Sequence, residues 1–380
     1  MTSGEIAVLA NPAAGRGRHR GLLPGVVERL GAAGHVVRLL EASTAAEAEK
    51  ACRRAVDEGA AALVAVGGDG TVHQALQAVA SSGPVPAAGF GPIAAGSGPV
   101  PAGSGPVSAG SGPVSAGSGP VSDGSGPVPA GFGPAPAGSG LGAAGFGPVA
   151  AGSGAVSAGC GMVSVGFGVV PAGTGNDFAA GVGVPSDPLA AASAIADALR
   201  EGRSRPIDLA RTTGTDGETR WFGAVLAAGF DAVVNERANR MRWPRGPRRY
   251  DLAIVLEMAR VRPRLYALEI DGVPHDFEGT LVAVGICPSY GGGLRILPAA
   301  DPTDGLLDVV TAEPLSRVAL ARLKPRLRAG THVTDPRVHT FRGRQVRLHT
   351  DGIIAYADGE RIGPLPQEIT CIPGALRLLT

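Results

Sequence analysis

Lysine is nearly absent from this chain: Lys50 and Lys324 are the only two, against 32 arginines among 380 residues, and aromatic residues make up only 4%. The imbalance reads as codon bias of a GC-rich genome rather than as a functional choice. A formal net charge of +1 gives no argument for wholesale nucleic-acid binding, so no nucleic-acid partner is expected. Cysteine is scarce too. Cys52, Cys160, Cys287 and Cys371 show neither a CxxC nor a Cys/His spacing, which argues against a zinc site or a disulfide framework and points to a reducing cytosol. No stretch approaches the ~18 uninterrupted apolar residues of a membrane span. The opening MTSGEIAVLANP has no basic region ahead of a long apolar one. A soluble or peripheral cytoplasmic protein is the expectation.

Glycine and proline are abundant instead, 60 and 32 residues, and many of them fall between Gly83 and Gly168, where Asp123 is almost the only charge. There a G-x-G pair recurs every seven residues, from Gly89/Gly91 to Gly173/Gly175, with no change of phase: thirteen units in all. A coiled coil is excluded because Gly and Pro fill positions where a helix needs side chains. Collagen is excluded by its glycine period of three. Alternating Ala, Ser, Val and Pro barely supply a core, so the block reads as tandem duplication of one strand-turn element, disordered between residues 84 and 164. Position singles out the working copy. Only VVPAGTG (169–175) continues into NDFA, and it carries Val169 where earlier units carry Pro99, Pro106, Pro113, Pro120 or Pro127, which cannot donate to a central strand.

Outside the block the pattern is ordinary. EIAVLA (5–10), HVVRLLE (35–41), AALVAV (61–66) and VGFGVV (165–170) read as strands. Helical segments alternate with them: one to about residue 33 that Pro24 and Gly25 interrupt, 43–59 capped by Ser43 or Thr44, one from Thr71, and 186–202. That alternation predicts an α/β domain with a doubly wound, largely parallel sheet. From Pro206 onward short β-like runs dominate, WFGAVLAAGF, RLYALEID, GTLVAVGIC, GLLDVVTA, QVRLHT and EITCIPG, bracketing one helix near 250–260 and another near 315–328. The expected organisation is an α/β domain from 1–83 and 165–204, the insert 84–164, and a second, β-rich domain at 205–380.

AVGGDGT (65–71) stands at a strand end and opens a helix, where glycines let backbone amides approach a polyanion. Asp69 would repel phosphate unless a magnesium ion or a hydroxyl donor lies between. By itself the motif fits a bare strand-helix turn equally well. NPAAGRGR (11–18) and PAGTGNDF (171–178) follow two other strands, and in a parallel sheet all three loops share the ligand-binding edge.

NPAAGRG, VGGDGTVHQAL, PAGTGNDFA, GFDA (229–232), PAADPTDGLLDV (298–309) and ADGE (357–360), in this order, resemble the soluble diacylglycerol kinase-like lipid kinases, a family that includes sphingosine and ceramide kinases. GGDGT alone would also fit NAD kinases and phosphofructokinases. The resemblance covers nearly the whole chain except the repeats. It implies an enzyme using ATP and Mg2+ to phosphorylate a lipid alcohol, most simply diacylglycerol to phosphatidic acid. A sphingoid, ceramide or polyprenol kinase, and a non-catalytic nucleotide- or lipid-binding protein, are the alternatives. It further implies that Gly67, Gly68, Asp69, Gly70, Thr71, Val72, His73, Thr174 and Asn11 face the nucleotide, His73 standing where Asn is frequent. Asp304 would bind magnesium with backbone carbonyls near Asp301 and Leu306. Asp358 would be the general base, supported by Glu360, although ADGE taken alone reads as a surface turn. The insert falls in a helix-to-strand loop, on the sheet edge opposite the ligands.

Arg237, Arg240, Arg242, Arg245, Arg248 and Arg249, interleaved with Met241, Trp243 and Tyr250, form either a solvated face or a foothold on an anionic membrane surface. Peripheral membrane contact is therefore an expected partner interaction, and a homodimer is allowed for.

Overall fold

Strands β1 (Glu5–Ala10), β2 (Val36–Leu40), β3 (Ala62–Gly67) and β4 (Gly166–Pro171) run parallel in the order β4-β3-β1-β2. The computed structural model describes residues 4–10, 19–82, 165–241, 243 and 248–380. Asn11 with its loop, the 84–164 block, Arg242 and Arg245 lie outside the described residues. β3 and β4 are buried along their whole length, as strands covered by helices on both faces must be. The helices are α1 (His19–Gly31), α2 (Ala45–Asp57), α3 (Asp69–Ser81), α4 (Asp177–Gly181) and α5 (Pro188–Glu201). Thr44 caps α2 by accepting the Glu47 N–H, while Glu47 returns a bond to the Ser43 N–H; Asp187 caps α5 ahead of Pro188. Pro24 does not interrupt α1. It removes one amide donor, and burial of Val26 and Leu30 against Ile6 and Val8 outweighs that loss.

The second half is β-rich: β5 (Arg205–Gly214), β6 (Thr219–Phe222), β7 (Val225–Ala227), α6 (Phe230–Arg240), α7 (Arg248–Met258), β8 (Arg264–Ile270), β9 (Val273–Pro274), β10 (Phe277–Gly279), β11 (Leu281–Gly285), β12 (Leu307–Ala312), α8 (Arg317–Ala329), β13 (Val338–Gly343), β14 (Gln345–His349), β15 (Ile354–Ala357), β16 (Glu360–Pro364) and β17 (Gln367–Leu378). Six of these strands form an antiparallel sheet, β13-β12-β11-β7-β15-β16. Strand β17 does something the sequence did not suggest. Its end pairs parallel with β4 through Leu378 and Phe167, and its length pairs antiparallel with β5 and β14. The parallel sheet therefore continues through β17 into β14, β8 and β10. EITCIPG does not end at Gly374 as read. The register shifts between Ile372 and Leu376 and the strand resumes. Helix α6 is likewise additional to the two helices expected in this half.

Candidate active site

The site begins where two strand-to-helix loops touch. Gly67, the last residue of β3, accepts the N–H groups of Ala172 (2.8 Å) and Gly173 (3.2 Å) through its carbonyl. A side chain at Gly173 would overlap the Gly68 Cα, so the two backbones meet with nothing between them. Asn176 fixes the second loop: its Oδ1 accepts the Gly173 N–H at 3.0 Å and its Nδ2 donates to the Gly173 carbonyl at 3.1 Å. This residue sits at φ +60°, a left-handed conformation that Asn tolerates. Helix α3 has no side-chain N-cap, and the residue at that position, Gly68, is the one that meets Gly173.

Three carboxylates surround that floor. Asp69 does not point freely outward; its Oδ2 accepts the Asn176 N–H (2.8 Å) and its Oδ1 the Phe178 N–H (3.3 Å), tying the first loop to the start of α4. Burial, then the charges of Asp177 and Asp358, push Asp69 up to about 6 against the pull of those amides. Asp177 is buried and accepts the N–H groups of Gly292 and Gly293, both at 2.7 Å. Gly291, Gly292 and Gly293 all have positive φ, a run that only glycine sustains without strain. The PAGTGNDF motif assigns no role to Asn176 or Asp177, and a YGGG run and an ND pair carry no sign in the sequence that they meet.

Asp358 reconciles the two readings of ADGE. With Gly359 it makes the turn between β15 and β16, φ being +52° and +85° at the two central positions, as a two-residue hairpin requires. That conformation aims the Asp358 carboxylate inward. Oδ1 accepts the N–H groups of Ala224 (2.9 Å) and Val225 (3.3 Å), and Oδ2 accepts that of Gly223 (2.9 Å). His73 Nδ1 lies 3.5 Å from Oδ2, and its Nε2 lies 3.2 Å from Gln77 Nε2. Gln77 is itself clamped to Trp221, donating to its carbonyl at 2.5 Å and accepting its N–H at 3.0 Å.

The expected nucleotide residues thus divide. Gly67, Gly68, Asp69, Gly70 and Thr174 converge on the two loops, Thr174 at the exposed tip. Val72 and His73 are buried in α3, and the His73 ring lies beside the Asp358 carboxylate. Thr71 packs over Gly67. Glu360 reaches Gly70: a Cβ there would stand 2.9 Å from Glu360 Oε1.

The expected magnesium loop is a separate cluster. Asp301 Oδ1 accepts the Thr303 N–H (3.0 Å) and hydroxyl (2.6 Å), Asp304 Oδ1 accepts the Leu306 N–H (3.0 Å), and Arg342 pairs with Asp304 and, at 3.4 Å, with Asp308. Asp208 anchors the loop by accepting the N–H groups of Gly305 (2.6 Å) and Gly374 (2.7 Å). Burial pushes Asp308 up to about 6 against the pull of Arg342, whose ion pair is the contact its buried Oδ2 makes. Among the described residues no three acidic, His or Cys side chains are grouped to hold a metal. One carboxylate with backbone carbonyls and waters remains a set magnesium accepts, and four carboxylates against one arginine leave charge for it to offset.

A family model described as the diacylglycerol kinase catalytic domain matches residues 5–109 and 149–212, and one described as the YegS C-terminal NAD kinase beta sandwich-like domain matches residues 224–380. The chain belongs to the diacylglycerol kinase-like lipid kinase family. The first match passes over the middle of the repeat block. A diacylglycerol kinase of Mycobacterium tuberculosis is 45% identical over 208 residues, covering 54% of this chain and 66% of that protein. One of Bacillus subtilis is 26% identical over 197 residues, covering 51% and 62%. Those alignments fall short of two thirds of the relatives' length. The crystal structure of a diacylglycerol kinase from Bacillus anthracis shares the fold, with a TM-score of 0.58 at 15% identity, over 99% of this chain and 96% of that one. No helix among the described residues is long and apolar enough to cross a membrane.

Proposed function

We propose that this chain is an ATP-dependent lipid kinase that phosphorylates a lipid alcohol, with diacylglycerol as substrate and phosphatidic acid as product. The observation that carries the reading is the contact of Gly68 with Gly173, a side-chain-free floor at the uncapped start of α3 with Asp69, Asp177 and Asp358 around it. Backbone amides at a helix start bind phosphate. Thr174, and Asn11, which follows β1 in the sequence, complete the nucleotide contact in this reading. The separation into a nucleotide domain, an insert and a lipid domain belongs to the same proposal.

Asp358 is the base. Three amides fix its carboxylate, His73 Nδ1 lies 3.5 Å from Oδ2, and in this reading the carboxylate takes the proton of the lipid hydroxyl. As that proton moves, the hydroxyl oxygen bonds to the γ-phosphorus of ATP, the bond to the bridging oxygen breaks, and ADP leaves. Glu360 beside Gly70 supports the base from the adjacent strand. Magnesium held by Asp304 with the carbonyls of Asp301 and Leu306 would supply positive charge against the surrounding carboxylates. Because the substrate is a lipid, the enzyme works in contact with a membrane surface. The test is transfer of label from ATP carrying a radioactive γ-phosphate to a panel of glycerolipid, sphingoid and polyprenol alcohols. Label in phosphatidic acid supports the reading; intact ATP binding with no labelled lipid refutes it.

A further inference from the structure

Helix α8, thirteen residues long, contains Arg317, Arg322, Lys324, Arg326 and Arg328 and no acidic residue. Leu320, Leu323 and Leu327 face the core, whereas Arg317, Val318, Arg322, Lys324 and Arg328 are exposed. Arg317, Lys324 and Arg328, at i, i+7 and i+11, share one stripe of the helix.

Two ordinary explanations do not account for these cations. Ion pairing covers Arg326 alone, whose guanidinium meets Asp335 at 3.0 Å; no ion pair involves Arg322, Lys324 or Arg328 among the described residues. Interaction with the helix dipole favours Arg326 and Arg328 in the last turn, but it disfavours Arg317 in the first. The Arg317 guanidinium donates to the Ala259 carbonyl at 2.6 Å, joining the start of α8 to the end of α7, where Arg260 and Arg262 are also exposed. Val318, next to Arg317, and Val255, whose carbonyl accepts the Ala259 N–H, are 59% and 62% exposed. The cluster singled out in the sequence is different. Arg237 pairs with Glu257, and Arg240 with Glu236 at 2.5 Å, so part of its charge is neutralised within the fold.

We propose that the α7–α8 face docks the enzyme on an anionic lipid bilayer. The inference rests on the lipid-kinase reading for its purpose. Its own support is the complementarity between an uncompensated row of long cations and a continuous negative surface, with Val255 and Val318 placed to enter the headgroup boundary. The face also leads to the site. The Leu327 carbonyl of α8 accepts the Arg295 N–H at 2.9 Å, and the segment just ahead presents Gly292 and Gly293 to Asp177.

The test is co-sedimentation of the full chain with vesicles of phosphatidylcholine with and without phosphatidylserine, at low and high salt. The expected result is binding that needs phosphatidylserine and falls with salt. Changing Arg322, Lys324 and Arg328 together to Gln should weaken it on the order of 100-fold, about fivefold for each cation, with circular dichroism unchanged. A folded triple variant that binds like wild type, a wild type that ignores phosphatidylserine, or tighter binding to duplex DNA than to the vesicles overturns the proposal. Should the triple variant misfold, Arg260→Gln with Arg262→Gln, outside any helix, asks the same question. Transfer to a short-chain diacylglycerol in neutral detergent needs no docking. Docking without transfer refutes the kinase reading alone, and transfer without docking refutes this proposal alone.

Discussion

Replacing Gly173 by alanine puts one methyl group at the tightest place in the site. Its Cβ would overlap the Gly68 Cα, 3.0 Å from Gly68 N and 2.9 Å from Asn176 Oδ1. Backbone atoms cannot rotate aside, so relief requires the two loops to separate. Separation strains the bonds from Ala172 and Gly173 to the Gly67 carbonyl, and loosens the hold of Asp69 on Asn176 and Phe178. Overpacking costs ~1–3 kcal/mol, and each weakened hydrogen bond adds up to about 1 kcal/mol. An overall loss on the order of 3 kcal/mol is expected, which for a protein of this size lowers Tm by about 5 °C. Calorimetric titration with ATP should show affinity falling with it, because the floor no longer closes. Thr174→Ala, at the exposed loop tip, should leave Tm unchanged. A Gly173→Ala protein with wild-type Tm and wild-type ATP affinity would refute the account of the two loops.

His73→Ala should lower kcat while leaving KM for ATP nearly unchanged, since the ring lies beside the Asp358 carboxylate; steady-state kinetics reporting a KM effect alone would contradict this. Asp69 binds its proton more tightly in the folded chain, at about 6 against an ordinary 3.8, so its contribution to stability is largest below the ordinary value and is lost as pH rises through about 6. Thermal melts of wild type against Asp69→Asn should accordingly shift in favour of wild type as pH falls from about 7 to about 5; a difference that does not vary with pH would show that Asp69 does not titrate there. Deleting residues 84–161 to join Gly83 to Met162 connects α3 to β4 directly. It should leave a folded, active protein of equal or higher Tm, since shortening the loop by about four doublings removes an entropy cost of about 2.5 kcal/mol; an insoluble product would show that the repeats belong to the fold.

The first half of the fold was legible because alternating apolar strands and capped helices follow local rules. The exceptions, in the second half, depend on partners far along the chain or on residues that carry no signal of their own. WFGAVLAAGF reads as one strand, but Gly223, Ala224 and Val225 turn their amides to the carboxylate of Asp358, more than a hundred residues away, so the strand breaks between Phe222 and Val225. Helix α6 starts at Gly229, which offers no side-chain cap to announce it. Strand β17 survives Pro373 and Gly374 because its register shifts there and Gly374 N–H finds Asp208. At the site, the motifs marked loops that the fold does bring together, and the G-x-G pairs of the last two units have packing reasons: Gly168 is closed by Ile195 and Val64, Gly173 by Gly68. Motif letters could not say that Asp177 is held by Gly292 and Gly293, or that His73 lies behind Asp358. Those facts depend on pairings across the chain that no local pattern encodes.

The central claim is tested most directly by comparing wild type with Asp358→Asn in transfer from γ-labelled ATP to diacylglycerol in mixed micelles. Asn keeps the shape of the side chain but loses the proton-accepting oxygen and sets an amide group against the Gly223 N–H. Labelled phosphatidic acid is expected from wild type, with loss on the order of 10²–10⁴-fold in the variant and ATP affinity nearly intact. Wild-type turnover by Asp358→Asn, or no labelled lipid from the wild-type protein, would contradict the assignment.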